Sequence, residues 1–251
     1  MRCMSQRFLA RTSVLLSVLA GPRVLVAQVY PDWFLNQGQV NCEKKAVGYA
    51  NPSFYRDSSI AQAVRNAAEN YGRQTRTQIS GGQAFWSTEA GTYWMGADFR
   101  EQYDTMAARS APAAVALLDT FVASDIVVVL LGDAACKLDE SERRQIHMSG
   151  PPPAWSESVP RDPNHYYVVG LAPEYYYETS SWTEAERLGR RNLARTVFVT
   201  LKSLQKRDAL QGQEIRNEEI SATLRHIEVV ARWKDREKKI FYVLMRAPKS
   251  F

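Results

Sequence analysis

Near the C-terminal end, Ile227, Val229, Ala231 and Trp233 alternate with Glu228, Val230 and Arg232. A period of two marks a strand with one buried face. Residues 234–238 are charged and read as a hairpin connection, after which the apolar run 239–246 returns as a strand buried on much of both faces. Val- and Tyr-rich stretches predict strands at 45–50 and 166–172, each ending Gly-x-Ala, and another at 125–131. Elsewhere the spacing changes to three and four. Trp182, Ala185, Gly189, Leu193, Val197, Leu201 and Leu204 form one stripe, and Ile60, Ala63, Ala67, Tyr71, Thr75 and Ile79 form another. Both predict long amphipathic helices. Ser59 with Gln62, and Ser181 with Glu184, fit the capping box, in which the serine oxygen takes a free backbone N–H. Gly81-Gly82 predicts the end of the first helix. Residues 83–118 are less regular, with a strand expected near 84–87 and a helix near 98–109.

The two strand-helix stretches are related. Residues 31–73 align without a gap to residues 153–195, with twelve identities in 43 positions. Average composition predicts about one match in sixteen by chance. The identities include Pro31 and Pro153, Trp33 and Trp155, Gly48 and Gly170, Asn70 and Asn192. A period of 122 residues is too long for a solenoid repeat and predicts a duplicated domain. The expected fold class is α+β: two tandem β-α-β-β units, each with one long helix packed on a small antiparallel-rich sheet. They would occupy residues 28–136 and 154–251, joined by a charged, proline-ended linker at 137–153.

Residues 1–27 read as a secretory signal: Arg2, Arg7 and Arg11 precede an apolar run from Ser13 to Ala20, and Leu25-Val26-Ala27 offers a cleavage site before Gln28. That run is too short to span a bilayer. Removing the segment takes away four arginines and no acids, so the net charge falls from +5 to +1. A near-neutral exported chain argues against a nucleic-acid partner. Cys42 and Cys136 remain, and an even count in an exported chain invites a disulfide, with two small buried thiols as the alternative. If the strands that follow Cys42 and precede Cys136 are antiparallel neighbours, the two cysteines meet.

Catalytic patterns are not found. His147, His165 and His226 have no metal-ligand spacing, Gly-x-Ser-x-Gly is missing, and Gly81-Gly82 lacks the lysine of a phosphate loop. No catalytic residue, metal ligand or cofactor is therefore assigned. The charged residues Arg187, Arg190, Arg191, Arg195, Lys202 and Lys206 read as the solvated side of the second helix. Aromatic residues are more informative. Tyr175, Tyr176 and Tyr177 crowd one turn, Phe54 and Tyr55 stand at the equivalent turn, and Trp86 and Trp94 lie in the irregular part of the first unit. Such side chains suit a partner or ligand surface, against the alternative that they cover the sheets.

A Pro-x-Trp opening, a Gly-x-Ala strand, a long Ala-rich helix and two strands with a basic-Trp-Asp turn resemble the family of the twenty-kilodalton Lpp outer-membrane lipoprotein. The same small fold is similar to the N-terminal domain of the T protein of flagellar assembly. The residues that carry the resemblance are Trp33, Gly48, Ala50, Trp155, Gly170, Ala172 and Arg232-Trp233-Lys234-Asp235. It implies a cell-envelope protein without known catalysis. The chain departs from it by lacking a lipid-attachment cysteine and by holding two copies. The resulting expectation is an exported, periplasmic or outer-membrane-associated protein that acts through contact with an envelope protein partner. A glycan or small-ligand binding module is the alternative, and self-association is left open.

Overall fold

The computed structural model describes residues 29–88, 91–148, 150–206 and 218–249; the signal expected at 1–27 lies outside them. The chain forms β1 (Val29–Pro31), α1 (Asp32–Leu35), β2 (Lys45–Ala50), α2 (Arg56–Thr75), β3 (Arg76–Thr88), β4 (Gly91–Tyr103), α3 (Thr105–Ala114), β5 (Ala116–Val122) and β6 (Val127–Gly132). There follow α4 (Glu140–Arg143), β7 (Gln145–His147), β8 (His165–Pro173), α5 (Glu178–Lys206), β9 (Glu218–Arg225), β10 (Glu228–Asp235) and β11 (Ile240–Pro248). The fold is mixed α+β, its sheets small and antiparallel. Among the described residues no helix is long and apolar enough to cross a membrane.

Two sheets share one strand order. In the first, β2 pairs with β6 and β6 with β5; in the second, β8 pairs with β11 and β11 with β10. In both, the strand before the long helix lies beside the last strand of its set. Contacts at matching positions also recur. Asn70 donates its side-chain amide to the Val47 carbonyl, and Asn192 to that of Val169, both at 2.9 Å. A Cβ at Gly48 would collide with backbone atoms of Ala63 and Ala67, and one at Gly170 with backbone atoms of Ala185 and Gly189. Each helix therefore lies against its strand at a distance only a glycine permits. Gly170→Ala is expected to destabilise by about 1–3 kcal/mol, the cost of an overpacked core site, read from urea unfolding.

The apolar run of β6 is continuous because it is buried on both faces. Val127, Val129 and Leu131 pack with Ala63, Ala67, Ala111 and Val115 under α2 and α3. Val128 and Leu130 face a larger core that holds Tyr30, Trp33, Phe34, Trp182 and Phe241. Cys42, just before β2, and Cys136, just past β6, are joined with Cα atoms 4.9 Å apart. Breaking this link by Cys42→Ser with Cys136→Ser is expected to cost about 2–4 kcal/mol, seen as an earlier denaturant midpoint.

Several expectations are corrected. Both helices begin three residues before the serines read as caps, so the capping boxes are not formed. Ser59 Oγ instead donates to Ser53 Oγ, and Ser181 Oγ accepts from the Tyr175 amide, both at 2.8 Å. These are again matching positions, so the serines hold the preceding turn. The first helix ends at Thr75 rather than at Gly81-Gly82, which lie inside β3. Residues 98–103 belong to β4, and the helix expected at 98–109 is instead α3, starting at Thr105 with Asp104 as its cap. The partner of β6 is β5, and residues 137–153 hold α4 and β7, the latter paired with β1. The chain also carries strands beyond the two β-α-β-β sets expected: β3 pairs with β4 and with β9, so one sheet draws on both halves of the sequence.

Candidate binding surface

The turns that lead into α2 and α5 carry the most exposed aromatic side chains among the described residues. On the first turn Phe54 is 95% exposed and Tyr55 72%; on the second, Tyr176 is 94% and Tyr177 53% exposed. In each pair the rings stand at right angles, with centroids 5.2 Å apart for Phe54–Tyr55 and 4.8 Å for Tyr176–Tyr177. Edge-to-face contact fixes each pair without removing it from water. Large apolar groups left in water gain free energy when a partner covers them.

The two turns border one groove of about 640 Å³. Asn51 and Pro52 form one wall and residues 174–178 the other, while Ser124 and Asp125 close one side. Thr179 Oγ1 donates to Asn51 Oδ1 at 2.5 Å and ties the walls together. At the base, the Lys234 ammonium lies 2.8 Å from Glu174 and 4.6 Å over the Phe241 ring. The hydrogen bond from Lys234 holds the Glu174 carboxyl below the usual carboxylate range, so this base stays charged at neutral pH.

Of the residues expected at a partner surface, Tyr175, Tyr176 and Tyr177 are thus brought together on the groove. Trp86 and Trp94 fall on the β3–β4 hairpin, where Trp86 registers with Tyr93 and Trp94 with Phe85; their side chains lie outside the described part. Cys42 and Cys136 are not among the residues that line the groove.

A second polar feature was not foreseen. A cleft of about 330 Å³ between α2 and α5 is lined by Tyr49, Arg73, Glu101, Tyr103, Glu186 and Arg190 among others. Arg190 donates to both oxygens of Glu101 at 2.8 and 3.4 Å, and Arg73 lies 3.6 Å from the same carboxylate. Deeper in, Arg232 meets Glu186 at 2.8 Å and donates to the Phe34 carbonyl and Gln37 Oε1, each at 2.9 Å. Burial and the nearby Glu186 charge push the Tyr49 hydroxyl well above its ordinary pKa, keeping it neutral. The helix face read as solvated is corrected here: Arg190 is buried, Arg187 grips Glu184, and Arg191 stacks over Phe99. Arg232 was placed on the solvent side by alternation. A register shift between Val229 and Ala231 breaks the alternation and buries Ala231 and Arg232 together. Since every cleft guanidinium described here is engaged by protein carboxylates, the network reads as a clamp across the two halves. No known protein family, curated protein or solved structure matches this chain.

Proposed function

We propose that the chain is an exported, non-catalytic protein of the cell envelope that acts by contact with a protein partner through its aromatic turns. The observation that carries this reading is the recurrence of an exposed, perpendicular ring pair at matching turns, the second pair lining the groove. Exposed aromatic side chains anchored on rigid turns are the residues that dominate binding energies at interfaces. The recurrence also supports the finer architecture: two copies of one strand-helix-strand unit, in keeping with the resemblance to the Lpp lipoprotein family. Asn70 and Asn192, and Gly48 and Gly170, make the same contacts 122 positions apart, and Ser59 and Ser181 each bond the residue six positions before them. Export is tested by N-terminal sequencing of the protein recovered from cells, which is expected to begin at or near Gln28.

The contact itself is tested by in-cell crosslinking from Tyr177 and mass spectrometry of what is captured. Tyr176→Ala with Tyr177→Ala is expected to weaken binding of the captured partner by about thirtyfold, the loss of roughly one hot spot. Because both rings lie in water, thermal stability should stay within about 0.5 kcal/mol of the parent. Binding that survives the double substitution would sink the proposal. The polar lining residues Asn51, Asp125 and Lys234 favour a glycan as the second reading. It would be preferred if no protein is captured and purified cell-wall fragments bind in a Tyr176-dependent way.

A further inference from the structure

Each sheet leaves edge strands whose outward N–H and C=O groups can pair with another chain unless something blocks them. On β2 the blocking is direct. The Tyr49 amide donates to Asn66 Oδ1 at 3.0 Å and the Val47 carbonyl accepts from Asn70 at 2.9 Å. Edge β10 carries a bulge, and the turn at residues 37–39 lies on it, with Gly38 against the Val230 backbone. Edge β5 has a bulge between Leu117 and Asp119, where Asp119 binds the Trp33 indole. Edges β4 and β9 carry charged residues, Asp98, Arg100 and Glu101 on one and Glu218, Glu219 and Arg225 on the other.

Edge β8 has little of this. Its sequence, His-Tyr-Tyr-Val-Val-Gly-Leu-Ala-Pro, holds no Lys, Arg, Asp or Glu, it pairs in unbroken register with β11, and its proline comes only at the end. Groups on an antiparallel strand turn alternately toward and away from the neighbour. The Val169 carbonyl reaches the Asn192 side chain, so Tyr167, Val169 and Leu171 present their backbone groups outward. Asn192 repeats the role of Asn70. The position matching Asn66, however, is Leu188, a hydrocarbon that cannot accept from the Leu171 amide as Asn66 does from Tyr49. The Leu171 side chain beside it is 47% exposed.

We propose that β8 is a self-association edge, on which a second copy of this chain pairs antiparallel to form a two-fold dimer. The strand is self-complementary. Centred on Val169, the two-fold register sets Leu171 of each copy opposite Tyr167 of the other, an apolar pair with no like charges facing. Tyr167, Val169 and Leu171 each donate and accept once across the axis. The second lone pair of the Val169 carbonyl leaves room for Asn192. No residue of β8 itself lines the aromatic groove, whose lining begins at Glu174, next after the strand's last residue.

The test is sedimentation of the purified chain over a concentration series, with Leu188→Asn and Leu171→Lys beside it. The first substitution supplies the missing cap, and the second puts like charges at the pairing edge. The parent is expected to dimerise, and each variant to weaken the dimer by about tenfold or more with an unchanged far-UV spectrum. Amide exchange at Leu171 and Tyr167 should slow with concentration in the parent only. Leu171→Lys alters an exposed side chain and keeps the test open should Leu188→Asn fail to fold. A chain monomeric up to about 100 μM overturns the proposal, as does a dimer that survives both substitutions. Protection of Leu171 that requires some different protein would also overturn it.

Discussion

Arg232→Ala is expected to destabilise the fold by about 3–5 kcal/mol, the range for breaking a buried ion pair from one side. Side-chain exposure is 1% for Arg232 and 5% for Glu186, so water cannot solvate the charge left behind. Among the described residues, the 3.9 Å contact with Arg190 is the ion pair that would remain for Glu186. The Phe34 carbonyl and Gln37 Oε1 would lose their donor, and Arg232 would no longer lie 4.6 Å over the Phe34 ring. Replacing both partners with apolar residues, Arg232→Met with Glu186→Leu, is expected to recover most of that loss, because two desolvated charges vanish together. The pair is not ideally satisfied, since Arg232 Nε has no hydrogen-bond partner among the described residues. Urea unfolding of the two single variants and the double variant measures the coupling. Additive losses would show that the clamp contributes nothing specific.

Trp182→Ala is expected to cost a similar 3–5 kcal/mol through a different cause, an unfilled cavity. Trp182 is fully buried, with ring centroids 4.6 Å from Phe241, 5.6 Å from Phe34 and 6.3 Å from Tyr30. It joins three segments distant in sequence, so those neighbours cannot collapse into the space without moving whole strands. Its indole N–H also donates to Glu178 at 3.1 Å, and Glu178 is itself buried. The matching residue of the first helix, Ile60, is only half-buried at the rim of the smaller core. Ile60→Ala should therefore cost distinctly less. Equal losses at the two positions would mean that both helices rest on equivalent cores.

Local patterns were legible where burial is decided by the strand itself. The runs at 45–50, 166–172 and 227–246 became β2, β8 and the β10–β11 hairpin, because alternating or doubly apolar residues have one favourable arrangement on a sheet. Strand β9 carried the same signal, with Ile220, Ala222 and Leu224 at every second position, but its charged ends hid it. The helix starts were misplaced because a serine followed three residues later by Glu or Gln is a local rule. Here a preceding turn competed for the serine and won. The tyrosine turn was visible as composition, but the groove was not, since its walls are 120 residues apart and meet only when the sheets pack.

The meeting of Cys42 with Cys136 was conditional on β2 and β6 being neighbours, which the fold supplies. The sequence by itself determined the α+β class, the long helices and the strand-helix recurrence. All of these depend on periodicity or on identities along the chain. Only the tertiary structure decided that β3 and β9 join the halves, that Arg190 and Arg232 turn inward, and that Asn66 caps the Tyr49 amide on the β2 edge. The physical reason is common to the three. A charged side chain, a bulge or an edge amide has no intrinsic place in or out of water. Its place is set by partners that arrive from elsewhere in the chain, Glu101 and Glu186 for the arginines and Asn66 for the edge.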